Sequence, residues 1–248
     1  LNEKTERSVN MINLSKASKM PAKLWSLQAG STCPGSIDPF TKQPLPVCAG
    51  CYAKGGTYSF KNSKRVREEN REDWKRAEWV DDMVALLKKE KFFRWFDSGD
   101  VYHPALAFKI YLVMEKTPWV QHWLPTKSYN IPKIRAVLDR MKVLPNASVR
   151  YSSPSIVGDY SAERGSTVVS YADDKTEAFM CGAYDRDGKC GDCRACWDKT
   201  VKVVAYPAHG MSMMAKVRKM TADLNANKNV WDILDGYVSN LFTSFWRF

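Results

Sequence analysis

Histidine is scarce in this chain. His103, His122 and His209 are the only three in 248 residues, and none lies near the first three cysteines. A mixed thiolate–imidazole metal site therefore has no local partner there. Long apolar runs are also missing, which excludes a membrane-spanning helix at the level of sequence. The first residues, Leu1-Asn-Glu-Lys-Thr-Glu-Arg, hold no apolar core, so no signal peptide is expected there. There is no internal repeat and no low-complexity segment. The cysteines lack the even count of a small secreted disulfide scaffold: there are seven. A reducing cytoplasm and metal ligation fit an odd, clustered set better. Acidic residues are in deficit, 27 against 38 Lys and Arg, for a net charge of +11. That balance favours a polyanionic partner, a nucleic acid or a phosphorylated substrate.

The cysteines that are present fall in two groups. Cys33, Cys48 and Cys51 have the spacing C-x14-C-x2-C. A thiolate is a soft ligand, and a C-x2-C pair can place two sulfurs on one metal centre. Between Cys33 and Cys48 stand Pro34, Gly35, Pro39, Pro44 and Pro46, which predict an irregular loop able to bend the first cysteine back to the pair. Three thiolates leave one coordination position open, as a catalytic metal centre requires. The expectation is a 4Fe–4S cluster whose open iron binds S-adenosylmethionine. Zinc with a distant histidine is the alternative. The second group is Cys181, Cys190, Cys193 and Cys196. Its C-x2-C-x2-C run resembles ferredoxin-type ligation more than the separated pairs of a zinc ribbon, and its four members form a closed set. A second 4Fe–4S cluster is expected there, with structural zinc as the alternative.

Strand-like and helical stretches alternate. Strands are predicted over Lys23–Gln28, Phe92–Phe96, Trp119–Leu124, Ala147–Ser152, Ser166–Tyr171 and Lys202–Tyr206. Helical periodicity predicts one long helix from Lys61 to Lys89, then helices over Pro104–Glu115, Ile131–Met141 and Met211–Leu224. The aromatic-rich stretch from Val230 to Phe248 reads as a packed helix. The fold class expected is α/β, a partial (βα)6-type barrel occupying residues 1–248, with a small cysteine-rich metal-binding insertion at 178–200.

In such folds polar residues at the carboxyl ends of successive strands line the site. Ser98, Gly99 and Asp100 follow one predicted strand, Thr126 and Lys127 end the next, and Ser152 ends the one after. They are the candidate cofactor-binding residues, although Asp100 alone also suits a helix N-cap. Lys199, Lys202, Lys216, Arg218 and Lys219 form a basic stretch that could contact phosphates.

The cysteine spacing followed by Tyr52-Ala53, the Ser-Gly-Asp and Thr-Lys strand ends, and the late C-x2-C-x2-C resemble the phage gene-product-88-like proteins. They also resemble a wider set of phage-borne radical S-adenosylmethionine proteins, although the common spacing there is C-x3-C-x2-C. The resemblance implies that Cys33, Cys48 and Cys51 each bind one iron. It implies that Ser98, Gly99 and Asp100 form an amino-group-binding turn, and that Cys181, Cys190, Cys193 and Cys196 hold an auxiliary cluster. A reductant protein would be a partner, and a phage protein would work in its bacterial host's cytoplasm. The function expected is a radical S-adenosylmethionine enzyme modifying a nucleic acid, a nucleotide or another phosphorylated substrate. The competing expectation is a non-catalytic, basic, metal-stabilised nucleic-acid-binding protein.

Overall fold

The computed structural model describes residues 12–160, 165–171, 174–223 and 225–226. Eight strands fall in two sheets. The first sheet has the order β1 (Ser15–Lys16), β2 (Lys23–Trp25), β3 (Phe92–Trp95), β4 (Gln121–Thr126) and β5 (Ala147–Tyr151). Only the β1–β2 pair is antiparallel; the other pairs are parallel. The second sheet is parallel with the order β6 (Ser166–Val169), β8 (Val204–Pro207), β7 (Phe179–Met180). A parallel bridge between Ser152 and Ser166 joins the two. No closed barrel is formed among the described residues, so the fold is a mixed α/β arrangement with a mostly parallel sheet. All six predicted strands have a counterpart. The short β1 and β7 have no signal in the sequence, because two residues carry no alternation to read.

Parallel neighbours need crossovers, and helices supply them. α2 (Lys61–Asp73) and α3 (Trp79–Leu86) join β2 to β3, α4 (Pro104–Lys116) joins β3 to β4, and α5 (Pro132–Val143) joins β4 to β5. The single long helix expected over Lys61–Lys89 is therefore broken at residues 74–78. No Gly or Pro marks the break; tertiary contacts make it. The Lys109 ammonium donates to the carbonyls of Trp74 and Arg76. Trp74 donates its indole N–H to Tyr102, 2.9 Å away, while Trp79 is wedged against Trp25 at 5.4 Å between ring centroids.

Strand alternation assigns two faces. Trp25, Phe93, Trp95, Leu124 and Val149 pack against Met83, Leu106, Ile110 and Leu138 in the main core. The opposite, inner face carries Phe92, Trp123 and Tyr206, covered by Trp197, Cys190 and Cys196. The cysteine-rich segment between β7 and β8 thus covers the inner face of the sheet. His122 belongs to the outer core: Trp95 Nε1 donates to its Nδ1 at 3.3 Å and Thr117 Oγ1 lies 2.8 Å from its Nε2. Residues 211–223 are helical. The predicted helix over 230–248 lies outside the described residues, as does most of the polar lead-in.

Candidate metal centre

The first three cysteines hang over the carboxyl ends of β2 to β5. The spacer between Cys33 and Cys48 is a compact hairpin. Ile37 bridges Pro44, the Leu45 N–H donates to the Ser36 carbonyl at 2.9 Å, and the Asp38 carboxylate accepts from the N–H groups of Phe40 and Thr41. Closing that hairpin returns the chain to its start, so Cys33 comes back beside α1 (Pro46–Ala49), which carries Cys48. Three contacts fix the loop to successive strand ends. After β3, the Asp100 N–H donates to the Thr32 carbonyl at 3.0 Å. After β4, Gly35 lies so close to the Lys127 carbonyl that any side chain would collide with it. After β5, the Val47 N–H donates to the Pro154 carbonyl at 3.2 Å.

The thiols feel one another. Burial, reinforced by the nearby Asp100 carboxylate and by Cys51 and Cys48, pushes the Cys33 thiol up to about 12. Burial also raises Cys48, against the opposing pull of Lys127. As free thiols both are protonated at neutral pH, so ligation to a metal must displace protons. The three are half-buried and form no disulfide.

The second group is also drawn together. Burial raises the thiol of Cys190, with Cys181 and Cys193 adding to it. Burial pushes Cys196 up to about 11, opposed by the Tyr206 hydroxyl 3.1 Å from its sulfur and by Arg150. Arg150, on β5, organises this segment. Its guanidinium donates to the carbonyls of Cys196, Ala195, Asp198, Val201 and Gly165 at 2.6–3.0 Å. The Trp197 indole donates to the Phe93 carbonyl at 2.9 Å. His209 stands between the two groups, its ring 5.3 Å from that of Tyr52 and 5.6 Å from that of Tyr184. Among the described residues no three His, Cys, Asp or Glu side chains converge as ligands of a single ion. In a cluster each thiolate binds its own iron, so its ligands are spread more widely than those around one ion.

The polar strand ends fall where the sequence places them, around the first cysteine loop. Ser98 donates its hydroxyl to the Leu27 carbonyl at 2.7 Å. Gly99 has φ +74°, and a Cβ there would meet Leu27 Cβ and Thr32 Oγ1 at 2.7 Å. The Asp100 carboxylate accepts from Thr126 Oγ1 at 2.6 Å, the Val101 N–H at 2.7 Å and the Lys127 N–H at 2.8 Å. A carboxylate offers about four acceptor positions, and three are taken. Ser152 accepts from the Ser166 hydroxyl at 3.1 Å, at the seam between the sheets. Gly99 and Asp100 tie their strand end to the loop that carries Cys33, whereas Ser152 contacts none of that loop's residues through its hydroxyl. The basic stretch is partly engaged, since Lys199 caps the carbonyls of Lys142 and Leu144. Spacing and periodicity single out neither Arg94 nor Arg150, and they do not place His209 beside the cysteine groups. An arginine inside the aromatic run Phe92-Phe-Arg-Trp-Phe96 was the available signal for the first.

Fold and site together define an α/β protein with one cysteine group at the strand carboxyl ends of its mostly parallel first sheet and the other in the segment that leads from β7 to β8. The family model for Gene product 88 matches residues 1–199 of the 248, which spans all seven cysteines. The chain belongs to the Gene product 88 family. No curated protein and no solved structure matches it. No helix among the described residues is long and apolar enough to cross a membrane.

Proposed function

We propose that the chain is a radical S-adenosylmethionine-type iron–sulfur enzyme on an open relative of the (βα) barrel. The carrying observation is the hairpin that brings Cys33 back beside Cys48 and Cys51 above the carboxyl ends of consecutive parallel strands. That is where α/β folds of this topology place their chemistry. The donor set suits the group: three thiols for three irons, with a fourth iron left for S-adenosylmethionine. Such a cofactor, once reduced by one electron, supplies homolytic cleavage of S-adenosylmethionine to methionine and a 5′-deoxyadenosyl radical, which abstracts hydrogen from the substrate.

In this reading the chain's own residues position and enclose. Asp100 and Gly99 hold the cysteine loop to β3 and β4, and the remaining acceptor position of Asp100 is available to an α-amino group. Lys127, whose charge reaches Cys48, offsets thiolate charge. The second cysteine group holds an auxiliary cluster over the inner face, and the substrate is a nucleic acid, nucleotide or other phosphorylated compound.

The test uses anaerobically reconstituted wild type, Cys51→Ala and Cys193→Ala, with S-adenosylmethionine and a strong reductant. Iron content and 5′-deoxyadenosine are measured. Wild type should yield 5′-deoxyadenosine, Cys51→Ala should not, and Cys193→Ala should mainly lose stability and solubility. A wild type that carries iron at both sites and never yields 5′-deoxyadenosine sinks the proposal. Colourless protein with stoichiometric zinc would favour the metal-stabilised nucleic-acid-binding alternative.

A further inference from the structure

Two guanidiniums lie on the inner face of the sheet, and their situations differ. Arg150 is saturated by backbone carbonyls. Arg94, on β3, is not: its Nε is buried with no partner among the described residues. Its guanidinium lies over the ring of Trp123, 4.4 Å from the centroid, on the adjacent strand and in register with it. The indole Nε1 of Trp123 is likewise buried without a partner. The Nε–H of one and the indole N–H of its neighbour thus have no acceptor among the described residues. Buried donors are costly when unmet, so native folds seldom leave two side by side.

The surroundings do not supply the missing acceptor. Asp97 is the acid whose charge reaches Arg94, but its carboxylate oxygens accept from Ser26 Oγ and from Tyr58 and not from the Arg94 Nε. Tyr52, Tyr58 and Tyr206 lie within electrostatic reach of the guanidinium, but their hydroxyls are engaged with the Asp97 carbonyl, the Asp97 carboxylate and the Cys196 sulfur. Arg94 is only half-buried overall, so the group is not sealed from a ligand. A planar fork of N–H donors beside an indole N–H matches a compact oxyanion.

We propose that Arg94 and Trp123 form the seat for an oxyanion of the substrate, a phosphate or a carboxylate. The inference rests on reading this inner face as the substrate side of the proposed enzyme, and it narrows the substrate to one carrying such a group. Arg94 sits close enough to Cys196 to influence its thiol, so the seat adjoins the second cysteine group.

The experiment is thermal unfolding of the anaerobically purified full chain, with its native metal content, in chloride, phosphate and acetate at equal ionic strength. Wild type, Arg94→Met, Arg94→Gln and Trp123→Phe are compared. Phosphate or acetate should raise the wild-type melting temperature by about 3 °C over chloride, as ligand linkage predicts for a filled site. A rise in phosphate alone identifies a phosphorylated substrate; a rise in acetate alone identifies a carboxylate. The increment should vanish in both Arg94 variants and shrink in Trp123→Phe, and in chloride the Arg94 variants should melt no lower than wild type. An increment equal in wild type and variants, or absent from wild type, overturns the proposal. So does unfolding of both Arg94 variants in chloride, which would make the guanidinium structural. Because the assay contains neither S-adenosylmethionine nor reductant, its outcome is separable from that of 5′-deoxyadenosine formation.

Discussion

Gly99 shows how much one residue can decide. Its φ of +74° is a conformation that L side chains rarely adopt, and a Cβ would press on Leu27 and Thr32. The same turn carries Asp100, whose N–H holds the residue before Cys33. Gly99→Ala should cost about 2–4 kcal/mol, combining left-handed strain with a forced shift of packed atoms. Gly55→Ala, at a position with nothing within 4 Å, should cost less than about 1 kcal/mol. Urea unfolding of the two variants checks the contrast. His122 is a second case. Burial lowers its imidazole from 6.5 to about 3, so the folded protein holds it neutral while the unfolded chain takes up a proton below about pH 6.5. The unfolded state binds more protons in that window, so stability rises with pH through it and is lost as pH falls. Between pH 7 and pH 5 the loss from this residue should be about 2 kcal/mol. His122→Gln should flatten that part of the profile. A wild-type profile as flat as the variant's would show that His122 is not the titrating group.

At the scale of elements, the parallel strands and the helices after β3 were legible, because each is long enough to show its period. The boundary between α2 and α3 was not: Trp74 and Trp79 are held by partners distant in sequence, and Lys109 caps the break from α4. The prolines of the spacer after Cys33 signal a loop, but the Asp38 turn and the Ile37–Pro44 bridge that make it a hairpin depend on close contacts no composition displays. The two cysteine groups are visible in the spacing, whereas Arg150, which holds the second group's segment through carbonyls up to 52 residues away, has no local signature. Its role gives a prediction. Arg150→Met leaves those carbonyls without their donor, so the segment 181–203 should become the first site of limited proteolysis. Iron at the second cysteine group should fall while the first keeps its own. Unchanged proteolysis and iron content would show that the segment is held by Trp197 and Tyr206 alone.

At the scale of the whole molecule, net charge bears on the choice of partner. The bare chain carries +11. A three-thiolate and a four-thiolate 4Fe–4S site would remove about 1 and about 2 charges, leaving the loaded protein basic. A basic surface meeting a polyanion releases counterions, and affinity for a single strand then falls with salt by a logarithmic slope of about −0.7 for each phosphate neutralised. Three such contacts predict that affinity for a single-stranded oligonucleotide drops by more than about tenfold between roughly 50 and 200 mM salt. The basic residues offered by the helix at 211–223, Lys216, Arg218 and Lys219, are exposed, while Val217 between them packs inward. Replacing the three with Gln should reduce that slope while leaving iron content unchanged. An affinity that moves less than about twofold over the same range would exclude phosphate neutralisation as a source of binding. The +11 would then serve solubility, and the substrate sought would be a small anion at Arg94 rather than a nucleic acid along the surface.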